Sequence, residues 1–325
     1  MRYLYSTLAL FLSIFLASCQ PPISLTPSPL PLPIQPEDQL RSIQFWDDQL
    51  GVAVGGQRFD EEVILKTVDG GTTWERIRPE SELKKMIFNL HIANAHVMWG
   101  TALDGKVLHS TNGGQTWELI QQAYWLPMRS ITQVTDSVIV SVGGVGYSVG
   151  QIVRSDNGGR TWTLLDTTDF ELRDVTFTDE QIGYACGYGV ILKTTDAGLS
   201  WKLTDATRGF FSTMDWPNSM VGYVAGRAGT ILKTIDAGTS WERLRNGNNP
   251  LIPYESYNDI VCWDSAHLYV AGDKGVFKYS DDGGKSWERI TLATDANLHS
   301  IHLTGPRSGW ICGSEGFLSR FEWVR

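Results

Sequence analysis

One eight-residue phrase returns six times along this chain, first as Thr67-Val68-Asp69-Gly70-Gly71-Thr72-Thr73-Trp74 and then in copies closing at Trp117, Trp162, Trp201, Trp241 and Trp287. Successive copies lie 39 to 46 residues apart. A unit recurring at that period stacks on its neighbours to bury surface that it cannot bury alone. The expected architecture is therefore a repeat fold, and its strand-rich units point to a β-propeller.

The phrase has a chemical logic. Ser or Thr opens each copy, and Asp or Asn follows two residues later, at Asp69, Asn112, Asn157, Asp196, Asp236 and Asp282. A glycine comes two residues after that, as in Gly71 and Gly198. A short Asx side chain accepts hydrogen bonds from backbone N–H groups just ahead of it, and glycine permits positive φ. The flanking runs, such as Val190-Ile191-Leu192-Lys193 and Trp201-Lys202-Leu203-Thr204, read as strands. The phrase is thus a hairpin turn, and its Trp anchors the returning strand with a ring N–H that needs a partner. It resembles the Asp-box, or bacterial neuraminidase repeat, of the form Ser/Thr-x-Asp-x-Gly-x-Thr/Ser-Trp. That resemblance implies a structural turn between the third and fourth strands of a propeller blade. No copy carries the spaced acidic ligands and closing Glu of an EF-hand loop, so neither a metal nor a cofactor is expected.

Two further strand signals precede each box. The first is a short alternating run such as Asp174-Val175-Thr176-Phe177, and the second a run such as Gly183-Tyr184-Ala185-Cys186-Gly187. Both occur once more after the sixth box, as Ser300-Ile301-His302-Leu303 and Gly309-Trp310-Ile311-Cys312-Gly313. The fold class is therefore all-β: a seven-bladed β-propeller with Asp-box hairpins between strands 3 and 4 of six blades. The seventh repeat ends near Trp323 without a box. An extended piece of the segment before Arg41, pairing as an outer strand where prolines are tolerable, is the candidate for closing the ring. A three-stranded last blade is the alternative.

The amino terminus carries an address. Met1-Arg2-Tyr3 leads into the apolar run Leu8 to Leu16 and then Leu16-Ala17-Ser18-Cys19. This describes an export signal too short to span a bilayer permanently. Leu-Ala-Ser-Cys looks like a lipobox, which implies cleavage before Cys19 and lipid attached there. The domain plan is residues 1–18 as lipoprotein signal peptide, 19–37 as lipidated Cys and Pro-rich tether, and 38–325 as propeller. The expected location is the bacterial cell envelope, exported and lipid-anchored. Removing residues 1–18 takes away one arginine from a chain of net charge −9, leaving −10. Such a chain is no bulk polyanion binder, and nucleic acid is not an expected partner. The three remaining cysteines, Cys186, Cys262 and Cys312, read as small buried residues.

A site should lie where the repeats stop agreeing. Asp-boxes mark one face of the ring, and the opposite face collects the strand 2 to 3 loops and the connections between blades. Those loops carry Tyr124, Trp125, Arg208, Phe210, Phe211, Arg227 and Tyr254, with Tyr147 and Tyr188. At the start of the innermost strands one register holds Arg41, Phe88, Arg129, Arg173, Ser212, Asn258 and His299. Arginines beside aromatic anchors suit an acidic protein segment, although Glu171, Asp174 or Asp215 could instead pair with them. By contrast, Lys66, Arg154, Lys193, Lys233 and Arg320 share a strand 3 register in most blades, so they read as blade structure.

Over the whole head, runs of the form Asp-Val-x-Phe-x-Asp, Gly-Tyr-x-x-Gly and Gly-x-Ile-Leu-Lys-Thr-x-Asp-x-Gly-x-Ser/Thr-Trp resemble the photosystem II stability and assembly factor family. Residues 173 to 204 and 212 to 244 match best. The resemblance implies a non-enzymatic scaffold that binds membrane-protein partners, photosystem II subunits in a photosynthetic source, and a place on the thylakoid lumen side if that source is cyanobacterial. It also implies an arginine patch, carried here onto Arg41, Arg129 and Arg173. Two alternatives stand beside it: a sialidase-like glycoside hydrolase, and an envelope binding lipoprotein in a non-photosynthetic bacterium. Sialidases usually carry an Arg-Ile-Pro motif in an early strand, whereas this chain has Arg76-Ile77-Arg78-Pro79 after a box.

Overall fold

The computed structural model describes residues 23–27, 32–80, 82–121, 125–206, 209–245 and 253–323. Their strands form seven antiparallel four-stranded sheets. The innermost strands are Gln39–Phe45, Ile87–Ile92, Met128–Gln133, Leu172–Phe177, Phe211–Asp215, Tyr257–Cys262 and Leu298–Gly305. Each touches the next and the last touches the first, so the sheets close into a ring around a central channel.

Alternating runs make the inner strands, because one side faces the channel and the other the neighbouring blade. The middle strands are continuous apolar runs, as in Gly183–Gly187 and Gly222–Gly226, with every residue buried. Both of their faces pack against adjacent sheets. The core is accordingly a series of layers between blades. Val52, Val54 and Ile64 of blade 1 pack against Ile87, Leu90 and Trp117 of blade 2, and Trp310 of blade 7 packs with Phe45 and Trp74 of blade 1.

The boxes behave as their chemistry requires. In blade 4, Asp196 Oδ1 accepts from Thr194 Oγ1 at 2.7 Å and from the Ser200 N–H at 2.9 Å, and Ser200 Oγ donates to Oδ2 at 2.6 Å. These donors pull the carboxyl down to about 2. Gly198 holds φ at 81°, and the ring N–H of Trp201 donates to its carbonyl at 3.1 Å. Trp117, Trp162 and Trp287 repeat that last bond, whereas the buried ring N–H groups of Trp74 and Trp241 have no hydrogen-bond partner among the described residues. The shared basic register braces the boxes: Arg154 donates to the Ala197 carbonyl at 3.0 Å, Lys193 to Ala237 at 2.6 Å and Lys233 to Gly283 at 3.2 Å, each in the next blade.

The ring closes with a strand from the amino terminus. Ile23–Pro27 pairs antiparallel with Leu318–Trp323, from Ile23 opposite Trp323 to Pro27 opposite Ser319. Blade 7 thus has four strands, and its missing box is the gap between the end of one strand and the start of another. The closing strand falls inside the stretch expected to be tether, so the folded head begins by residue 23 rather than 38.

A candidate binding site at the channel mouth

The mouth is built by seven bulges. In every blade the pairing of the inner strand with its neighbour slips near the start of that strand: between Leu40 and Ser42, Ile87 and Asn89, Met128 and Ser130, Leu172 and Asp174, Phe211 and Thr213, Tyr257 and Asp259, Leu298 and Ser300. The extra residues are Arg41, Phe88, Arg129, Arg173, Ser212, Asn258 and His299, the register singled out in the sequence. A bulge re-aims a side chain, and here all seven line one cavity of about 120 Å³. The glycine ending the second strand makes room beside the bulge. A Cβ at Gly187 would collide with the Glu171 carbonyl, and one at Gly226 with that of Phe210.

The residue before each bulge faces the core. Leu40, Ile87, Met128, Leu172, Phe211, Tyr257 and Leu298 are all buried. Phe211 is therefore a core residue packed with Met214 and Val224, not a loop anchor, which corrects the sequence expectation. The inner strand of blade 5 begins at Phe211, earlier than its alternation suggested. An apolar residue at this position in every repeat was the available signal.

Two arginines share one acid. Arg129 Nε and Arg173 Nη1 each donate to Glu171 Oε1 at 3.0 Å. Arg129 also lies over the Phe88 ring at 4.5 Å, a cation–π contact. Burial, with the Arg173 charge beside it, lowers the Arg129 pKa to about 10. Arg41 is lowered to about 10 by burial and then by Arg173 and Arg129; both stay cationic at neutral pH. Arg41 meets no carboxylate at ion-pair distance among the described residues, and it donates instead to His299 Nε2 at 3.1 Å. His299 Nδ1 donates to the Leu40 carbonyl at 2.8 Å, which leaves Nε2 as the acceptor of a neutral ring. Burial and Arg41 together hold its pKa down at about 3.

Beside the mouth lies an aromatic shelf. Tyr147 and Tyr188 ring centroids are 4.6 Å apart, and Phe210 is 5.2 Å from Tyr188. Arg227 sits over Tyr147 at 5.4 Å and Tyr188 at 5.7 Å, and donates to the Tyr147 hydroxyl at 3.4 Å. Tyr254 and Trp125 are exposed on the same face, at 74% and 70%. Tyr124 and Arg208 lie outside the described residues. The loop tyrosines were visible in the sequence, but their stacking with Phe210 required the blades to be placed.

Deeper in the channel the carboxylates act as latches between blades. Asp174 accepts from Ser130 Oγ at 2.8 Å and from the Met214 N–H at 2.9 Å. Asp215 accepts from the Cys262 N–H at 2.7 Å, and Asp259 from the Ile301 N–H at 2.7 Å and Thr213 Oγ1 at 3.1 Å. Desolvation pushes Asp215 up to about 6 and Asp259 up to about 7 against the pull of these bonds.

A family profile described as Photosynthesis system II assembly factor YCF48 matches residues 28–166, 163–255 and 251–322, nearly the whole head. The chain belongs to the YCF48 family. Among solved structures it is similar to "YCF48 from Cyanidioschyzon merolae", at 23% identity and a TM-score of 0.70, covering 92% of this chain and 98% of that one. It is similar to "YCF48 bound to D1 peptide" at 19% identity and a TM-score of 0.72, covering 94% and 97%. A streptogramin B lyase shares the fold at 12% identity and a TM-score of 0.72, covering 93% and 98%. So does a GH74 xyloglucanase from Xanthomonas campestris, at 14% identity and a TM-score of 0.69, over 92% of this chain and 53% of that one. At these identities the likeness is one of fold, a fold that YCF48 proteins share with enzymes. No curated protein matches the chain.

Proposed function

We propose that this YCF48-family chain is a non-enzymatic, lipid-anchored binding module that holds an acidic segment of a photosystem II protein at the arginine mouth. One observation carries the reading: seven bulges aim three arginines into one cavity, with Glu171 as the carboxylate shared by two of them. The bound D1 peptide in a structure of the same family gives the class of ligand. An extended chain laid over Tyr147, Tyr188 and Phe210 would place its acidic side chains toward Arg41, Arg173 and Arg227, where guanidinium forks match carboxylates. Hydrolysis fits the channel poorly, since Asp174, Asp215 and Asp259 each commit an oxygen to a neighbouring blade.

Fluorescence anisotropy of a labelled D1 peptide against the purified head tests this. The head binds saturably, and Arg129→Glu with Arg173→Glu weakens binding by about 100-fold, the scale of losing buried charge partners. Arg41→Gln, which breaks no ion pair, weakens it by about tenfold with thermal stability kept. Unchanged affinity in both variants would remove the mouth from the account.

A further inference from the structure

The route by which the chain enters the ring fixes which way the mouth points. The inner strands start at the mouth, so the third strand of blade 7 starts at the mouth face with Leu318 and ends at the box face with Trp323. The closing strand is antiparallel to it, with Ile23 opposite Trp323. The amino terminus therefore joins the propeller at the box face, on the outer edge of blade 7. Cys19 lies four residues before Ile23, which is at most about 14 Å of extended chain.

The mouth lies beyond that reach. Strands of five to seven residues span about 17–23 Å between the two faces at 3.3 Å per residue. The mouth is also at the ring axis, whereas Ile23 is at the rim. A lipid on Cys19 thus holds the box side of blade 7 to the bilayer. From the anchoring read in the previous section, we infer that the head is tethered by the box side of blade 7, with the arginine mouth directed away from the anchoring membrane.

Charge on the box face supports a tethered rather than an adhering head. Its strand 1 to 2 loops carry Asp47, Asp48, Asp136, Asp179, Glu180 and Asp264 against one cation among the described residues, Arg307 in blade 7. An anionic lipid surface repels such a face, so the lipid does the holding. The partner segment is then one that projects about 20 Å or more from the bilayer, a loop or terminus in the aqueous phase rather than a stretch at the headgroups.

Fluorescence quenching on vesicles tests the orientation in the full-length, lipidated protein. Val68 and Phe59 are exposed near opposite ends of the strand Glu61–Thr67 in blade 1, next to blade 7. A coumarin amino acid replaces one or the other, and the vesicles carry headgroup-spin-labelled phosphatidylcholine. Quenching several-fold stronger at position 68 than at 59 supports the inference. Equal quenching, or stronger quenching at 59, overturns it while leaving the anchor intact. Flotation reads the anchor separately: Cys19→Ala leaves the vesicle fraction, and a wild-type chain that fails to float overturns both the anchoring and the orientation.

Discussion

The two faces of the propeller are built by opposite uses of the same repeat. On the box face, six turns spend nearly every polar atom on themselves: Asp69, Asp196, Asp236 and Asp282 each take a backbone N–H and a hydroxyl from within their own loop. On the mouth face, seven equivalent bulges carry side chains of five kinds, three of the seven being arginine. The arginines among them, aimed into one cavity, have a single glutamate among their partners. Closed-off polarity makes structure. Unspent polarity at a repeated position, varied from blade to blade, makes a site.

The comparison sharpens when each region is changed by itself. Beyond the charge reversal described above, the largest expected effect lies just under the mouth. Asp259 has its folded pKa raised from near 3.9 to about 7, so its desolvation is avoided while it is protonated and paid as the pH rises through that window. Stability should therefore fall between about pH 4 and 7 from this group. Asp259→Asn should flatten that slope by an amount on the order of a few kcal/mol in urea titrations at pH 5 and 8. An unchanged slope would mean that the carboxylate is ionised at no cost.

A middle-sized effect belongs to the box face. Asp196→Ala should cost about 0.5–1.5 kcal/mol at neutral pH by removing the hydrogen bonds from Thr194 and Ser200 that close the turn. The sign with pH is the reverse of Asp259: a folded pKa depressed to about 2 gives stability that is full above about pH 4 and lost as pH falls toward 2. Peptide affinity should not change, and a loss of binding at constant fold would blur the division between the faces. The smallest effect is Ala197→Gly. Ala197 holds φ at 58° where other boxes have Gly70 or Gly113, so glycine should stabilise by about 0.5–1 kcal/mol in thermal melts.

Much of this was legible in the sequence because repeats state their own register. Box spacing counted six blades and the recurring strand signals the seventh, and the shared strand 3 basic residues were read as blade structure, which Arg154, Lys193 and Lys233 bear out by bracing the next box. Placing Arg41, Arg129 and Arg173 in one register was enough to find the mouth. The bulges were not legible, since a slip in pairing depends on the neighbouring strand. Glu171 was foreseen as a partner for the arginines, but that one of its oxygens serves both Arg129 of blade 3 and Arg173 of blade 4 was not, since that depends on how the two adjacent blades pack. Phe211 was misread because one step along a strand exchanges loop face for core. The closing strand was foreseen as an outer strand drawn from the segment before Arg41, while its residues, Ile23–Pro27, and hence the short leash on Cys19, followed only from the pairing with Trp323.

The central claim is that binding occurs at the mouth and not over the boxes. Photo-crosslinking of a D1 peptide carrying a diazirine residue, followed by mass spectrometry, locates contact directly. Adducts concentrated on the bulge register and on Tyr147, Tyr188 and Phe210 are the predicted result. Adducts concentrated on the box loops around Val68, Leu199 and Ile235 would contradict it.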